Sequence, residues 1–150
     1  MTVGLTTGCF DVLHPFHLMY LYKCRSLCDK LIVLVDSDML IQFRKGQAPV
    51  FNQRDRVYML DHLITTDVVR VMNDRLDIEH AIRTYKVSRI FKNTATIDNK
   101  PLWKFKKVQN ILIPDVDQYN SSSSLKLAIA SRVMADLNPN FKSSKPLNKT

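Results

Sequence analysis

Glycine is scarce in this chain: 150 residues contain only Gly4, Gly8 and Gly46. Scarcity makes each a positional candidate, because glycine serves tight turns and close backbone approach. Cysteine is scarce too. Cys9, Cys24 and Cys28 are odd in number and close in sequence, which excludes a disulfide framework and predicts reduced thiols. No apolar run approaches the roughly 20 residues of a membrane span. The N-terminus, Met1-Thr2-Val3-Gly4, has neither a basic leader nor a signal-like cleavage pattern, so a cytoplasmic location is expected. Hairpin signals such as Asn-Gly are also missing, which argues against antiparallel β architecture.

What is present fits one globular domain. The hydrophobic fraction is 45%, ordinary for a soluble core. A chain of this length buries roughly 68–70% of its unfolded surface. The net charge is +8. Nucleic acid and phosphorylated small molecules both attract such a surface, and a solvated basic exterior explains it equally well. Part of the excess lies in a polar C-terminal stretch with Lys142, Lys145, Lys149, Pro139 and Pro146. The expected division is a domain over 1–137 and a basic tail over 138–150.

Strand and helix patterns alternate. Val3–Thr7, Leu31–Val35, Asp67–Met72, Arg89–Lys92 and Asn110–Pro114 read as strands. Phe16–Leu27, Val57–Ile64 (with Asn52 as a start signal), Leu76–Tyr85 and Ser124–Leu137 read as helices. Asp36-Ser37-Asp38 reads as a turn or cap. The order predicts a parallel α/β sheet of five strands with helices on both faces. Ligands of such sheets sit beyond the carboxyl ends of the strands. Gly8–His17, Asp36–Asp38, Lys92–Thr94 and Asp115–Ser123 all fall at such ends.

The richest segment is Gly8-Cys9-Phe10-Asp11-Val12-Leu13-His14-Pro15-Phe16-His17. Gly8 would let the amides of Cys9 and Phe10 approach a phosphate. His14 and His17, spaced i, i+3 on a first helical turn, share one face. A helix N-terminus favours an anion there, and imidazole N–H groups can donate to phosphate oxygens as charge builds. His14, His17, Cys24 and Cys28 are also zinc-ligand types. However, the Cys24–Cys28 spacing is helical and lacks the loop of a compact site, so no resident metal is expected.

Gly8-Cys9-Phe10-Asp11 followed by His14-Pro15-Phe16-His17 resembles the Gly-x-Phe-Asp and His-x-Gly-His signature of the cytidylyltransferase-like nucleotidyltransferases. Glycerol-3-phosphate cytidylyltransferase and the adenylyltransferase of ADP-heptose synthesis are members. Asp29–Asp38 resembles the family's second strand and its end. Arg44-Lys45-Gly46 and Pro49–Arg56 resemble its next loop and helix start, and Ser121–Leu125 its late Ser-Thr-Thr-x-Ile signature. The ordered matches span about residues 3–132.

The resemblance implies a Rossmann-like, doubly wound nucleotidyltransferase fold. It implies transfer of CMP or AMP from CTP or ATP to a small phosphorylated polyol, amino alcohol or sugar, with release of pyrophosphate. His14, His17 and Lys45 would be catalytic. Gly8, Cys9, Phe10, Asp11, Arg56, Lys92, Ser121, Ser122 and Ser123 would line the nucleotide site. Arg56 would reach phosphate, and Asp11 would chiefly fix the turn. Mg2+ would bridge the phosphates, and a homodimer is implied.

Three departures stand out. Phe16 replaces the motif glycine. Asp115-Val116-Asp117-Gln118 holds no arginine before the serine run. Lys92-Asn93-Thr94-Ala95-Thr96 replaces the Lys-Gly-Gly-Asp-Tyr of the heptose-phosphate enzymes. They leave open a nucleotide-binding module without turnover. Lys100–Lys107, with four lysines around Trp103 and Phe105, leaves open a nucleic-acid surface.

Overall fold

The computed structural model describes residues 1–94, 105, 107–114 and 122–137, with Ser122 and Ser123 as backbone only. The chain divides into two compact units, Met1–Val116 and Asp117–Thr150. In the first unit the elements are β1 (Val3–Gly8), α1 (Pro15–Arg25), β2 (Lys30–Asp36), α2 (Asp38–Lys45), α3 (Gln53–Asp61), β3 (Val68–Met72), α4 (Arg75–Tyr85), β4 (Arg89–Asn93) and β5 (Gln109–Ile113). The second unit contains α5 (Ser122–Leu137).

Five strands form one sheet in the order β3-β2-β1-β4-β5, and every pairing is parallel. The strand order reverses at β1, so the crevice beyond β1 and β4 is the switch point where such sheets bind ligands. β1 and β2 pair in continuous register from Val3↔Lys30 to Gly8↔Val35. β2 is buried along almost its whole length, as expected of a strand covered on both faces.

Alternation along the strands builds two cores. Leu31, Val33 and Val35 join Val69, Phe91 and Ile113 against Leu21 and Cys24 of α1 and Leu60 of α3. Ile32 and Leu34 join Val3, Leu5, Met72 and Ile90 against Ile78 and Ala81 of α4. Cys24 and Cys28 thus belong to the first core, and the Cys28 thiol donates to the Cys24 carbonyl.

Gly4 has a packing role that nothing local in the sequence reveals. A Cβ there would lie 2.3 Å from Phe91 Cε2 and 2.8 Å from Cys28 Sγ. Gly4→Ala is therefore expected to destabilise the fold by about 1–3 kcal/mol through overpacking. Urea unfolding checks it, and an unchanged midpoint would mean that the Phe91 ring yields freely.

Two helices differ from the sequence expectation. α2 lies where only a cap and a loop were read. Its start is Ser37, whose Oγ accepts from Leu40 N, and its end is Gly46 at φ 70°; both are recognised helix-end signals. α2 is only eight residues long and buries Ile41 alone. α3 begins directly after Asn52, which caps Asp55 N, and ends at Asp61. The apolar pattern continued to Ile64, but Ile64 is wholly exposed, and residues 60–66 turn back through Leu63 N→Leu60 O and Thr66 N→Leu63 O bonds. Among the described residues no helix is long and apolar enough to cross a membrane.

Candidate active site

β1 ends at Gly8, and the chain re-enters regular structure at Pro15. His14 is the N-cap of α1, in extended conformation (φ −145°, ψ 167°), and Pro15 pre-sets the first turn. The His14 carbonyl accepts from His17 N at 2.9 Å and Leu18 N at 3.4 Å. One helical turn thereby brings the two imidazoles together. They stack with centroids 3.8 Å apart and planes 29° apart. The first turn holds no acidic residue, so no carboxylate of the helix itself offsets its positive end.

The turn before α1 is not made by glycine. Among the described glycines only Gly46 has positive φ, whereas Phe10 sits at φ 47°. Gly8 supplies room instead: a Cβ there would stand 2.9 Å from Phe10 Cε2. The Phe10 ring then lies 5.3 Å from that of His17.

Burial lowers the pKa of His14. It pushes that of His17 down to about 4, helped by the positive charges of His14 and Lys45 and opposed by the Val12 carbonyl. Both rings are neutral at pH 7, each with one N–H left to donate. The sign of the stability effect follows. The unfolded His17 protonates near pH 6.5 and the folded one only near 4. Its contribution is complete above pH 6.5, falls as pH drops through that interval, and falls no further below about 4. At most roughly 3 kcal/mol is at stake. Denaturant midpoints between pH 7 and 4 should fall for the parent chain, and His17→Gln should flatten the slope.

Lys45 ends α2, and its charge acts on both His17 and Cys9. The Cys9 thiol is raised, first by burial and then by Asp36, with Lys45 pulling the other way. Cys9 Sγ donates to Asp36 Oδ2 at 3.3 Å, and Arg44 Nη1 pairs with the same oxygen at 3.1 Å. Asp36 ends β2 and is buried. The sequence reading put Asp36–Asp38 at a ligand-binding strand end without assigning the Asp36 side chain a role.

Arg56 departs from expectation. It was read as a phosphate ligand, but its side chain is fully buried and turned into the protein. Nε donates to the Phe51 carbonyl at 2.9 Å, Nη1 to the Cys9 carbonyl at 2.6 Å, and Nη2 to Asp38 Oδ1 at 2.7 Å. It braces the loop after β1 against the starts of α2 and α3. Asp11 does related work: its buried Oδ1 accepts from Val50 N at 2.8 Å and Phe51 N at 3.1 Å. Gln53 adds a third tie by accepting from Asp38 N at 3.1 Å.

The structure thus gathers Gly8, Cys9, Phe10, His14, His17 and Lys45, with Asp11 and Arg56 behind them as scaffold. Lys92 lies near the carboxyl end of β4, the strand beside β1. Ser121, the side chains of Ser122 and Ser123, residues 115–120, most of 100–107 and the tail over 138–150 lie outside the described residues.

A parallel sheet reversing at β1, with helices packed on both its faces, defines a Rossmann-like α/β fold. The chain belongs to the cytidylyltransferase-like family, whose profile matches residues 5–144. It is 39% identical over 98 residues to the bifunctional protein HldE of Paramagnetospirillum magneticum, covering 64% of this chain and 20% of that protein. It is 41% identical over 75 residues to HldE of Rhodopseudomonas palustris (strain BisB5), covering 49% and 15% respectively. The chain thus matches only a fifth or less of the length of these relatives. In fold it is similar to a lipopolysaccharide core biosynthesis protein from Thermoplasma volcanium. The TM-score is 0.63 at 24% identity, covering 78% of this chain and 99% of that one.

Proposed function

We propose that this domain transfers a nucleoside monophosphate from CTP or ATP to a small phosphorylated acceptor and releases pyrophosphate. The stacked, neutral His14–His17 pair at the start of α1, with Lys45 close by, carries the reading. An acceptor phosphate oxygen attacks the α-phosphorus. A P–O bond forms there as the bond to the bridging oxygen of the β-phosphate breaks, and pyrophosphate leaves with that electron pair. The protein's part is positioning and charge stabilisation. His14 and His17 would donate to α- and β-phosphate oxygens, and Lys45 would offset charge on the triphosphate or acceptor. Lys92 would add to the phosphate contacts.

Magnesium enters with the triphosphate in this proposal. Among the described residues no three His, Cys, Asp or Glu side chains are grouped to hold a metal ion; of the buried Asp36 carboxylate, Oδ2 is bonded to Cys9 and Arg44 and Oδ1 has no hydrogen-bond partner. A phosphate-borne ion suits Mg2+, which often keeps few protein ligands. Polyol, amino alcohol and sugar phosphates are the acceptor classes. A sugar phosphate is the first to try, given the HldE relatives and the resemblance to the heptose-phosphate adenylyltransferases. A homodimer in the cytoplasm belongs to the same proposal, with sedimentation as the check of assembly.

The test is pyrophosphate release with CTP and ATP offered separately, with magnesium. The acceptors would be sugar 1-phosphates, glycerol 3-phosphate, phosphocholine and phosphoethanolamine. Release that needs one triphosphate and one acceptor establishes the reaction. Silence across the panel with calorimetric nucleotide binding favours the module without turnover.

A further inference from the structure

Catalytic imidazoles are commonly aimed by a hydrogen bond from their second nitrogen to a carboxylate or carbonyl. Here Nδ1 of His14 is buried without a hydrogen-bond partner, and the one backbone group that steadies the His17 ring is the Val12 carbonyl. His14 occupies an N-cap position, yet its side chain makes no capping bond. Packing must therefore fix the His14 ring.

Four rings form a column. Phe10 lies 5.3 Å from His17, His17 lies 3.8 Å from His14, and His14 lies 6.0 Å from Phe16 at an interplanar angle of 72°. The outer separations and tilts are those of favourable edge-to-face aromatic pairs. Phe10 is held at φ 47°, a backbone state that non-glycine residues adopt rarely, and its ring is buried over Gly8. Phe16, one residue before His17, closes the other end and is half-buried.

We infer that Phe16 is a positioning residue. Together with Phe10 it clamps the stacked His14–His17 pair by aromatic packing, which for His14 stands in place of a hydrogen bond from Nδ1. The purpose of the clamp rests on the nucleotidyl-transfer reading: two donors held at fixed separation meet phosphate oxygens without prior rearrangement. The clamp itself rests on ring geometry alone. Among the described residues, Lys45 from α2 acts on His17, and the Cys9–Asp36 pair stands at the ends of β1 and β2 beside this turn.

The test is NMR titration of the imidazole C–H signals of the full chain, with the two site histidines assigned through His14→Gln and His17→Gln. Parent, Phe16→Ala, Phe16→Leu and Phe16→Tyr would be compared. Phe16→Leu keeps bulk at the site, should the alanine variant fold poorly. The clamp predicts that His14 and His17 titrate closer to ordinary imidazole in Phe16→Ala, and to a lesser degree in Phe16→Leu. Phe16→Tyr, which restores the ring, should titrate like the parent. With an active acceptor pair, kcat for Phe16→Ala should fall about 10–10²-fold with the triphosphate KM nearly unchanged. Unchanged His14 and His17 titrations in both Phe16→Ala and Phe16→Leu overturn the inference. So does a tyrosine variant that behaves like alanine. The titration needs no turnover, so a parent chain inactive with every acceptor would count against the transfer reaction while the clamp is still decided.

Discussion

His17→Ala should lower turnover by about 10²–10³-fold, the loss seen when one preorganised donor to a developing oxyanion is removed. The expectation follows from the site's construction. His17 is stacked on His14 within one helical turn, lies near Lys45, and stays neutral to about pH 4. A neutral imidazole gives phosphate a directional N–H rather than a diffuse charge. Alanine removes that donor and keeps the helix, since His17 caps nothing and its backbone bond to the His14 carbonyl survives. Alanine also ends the burial of a group that resists protonation, so stability in mild acid should hold or rise. Pyrophosphate release by parent and variant is the measurement, with circular dichroism as the check of folding. Parent-like turnover would remove His17 from the mechanism.

Arg56→Ala should act mainly on stability, at a cost of about 2–4 kcal/mol, most of it from the two carbonyls left without a donor. Substitution strips the donor from two backbone carbonyls, those of Cys9 and Phe51, and leaves Asp38 without its cation. Three segments lose their common anchor at once. Arg56→Lys should rescue little, because one ammonium cannot reproduce a planar fork aimed at three acceptors. Guanidinium unfolding of the three proteins measures this. The outcome against it is specific: an Arg56→Ala chain as stable as the parent, with only the triphosphate KM raised, would return Arg56 to the phosphate-binding role first read from the sequence.

Much of this molecule was legible without coordinates. The alternating apolar runs located all five strands to within one or two residues, because strand burial is a local pattern of period two or a continuous run. Asn52 announced α3, because capping chemistry acts over three residues. The Gly8–His17 segment was recognisable because the whole histidine pair lies within one turn of chain. α2 was missed because its eight residues span only two turns and its cap at Ser37 also fits a simple turn, and the extent of α3 was misjudged because Ile64 continues an apolar pattern that the turn at residues 60–66 interrupts.

The sequence by itself determined the parallel α/β class, the family resemblance and the two histidines, all features written in contiguous residues. Only the tertiary structure decided what the other polar groups do. Arg56 meets Cys9 across 47 positions and Asp38 across 18, and Asp11 meets Val50 across 39. The order of strands and helices sets which of these residues become neighbours, and no local pattern records it. Gly8 shows the same limit. Its sequence context suggested a turn, whereas folding made it the space beneath Phe10 and passed the strained backbone to Phe10 itself. A free guanidinium or carboxylate is equally fit to bind substrate or to brace a loop, and burial against backbone partners selects the brace.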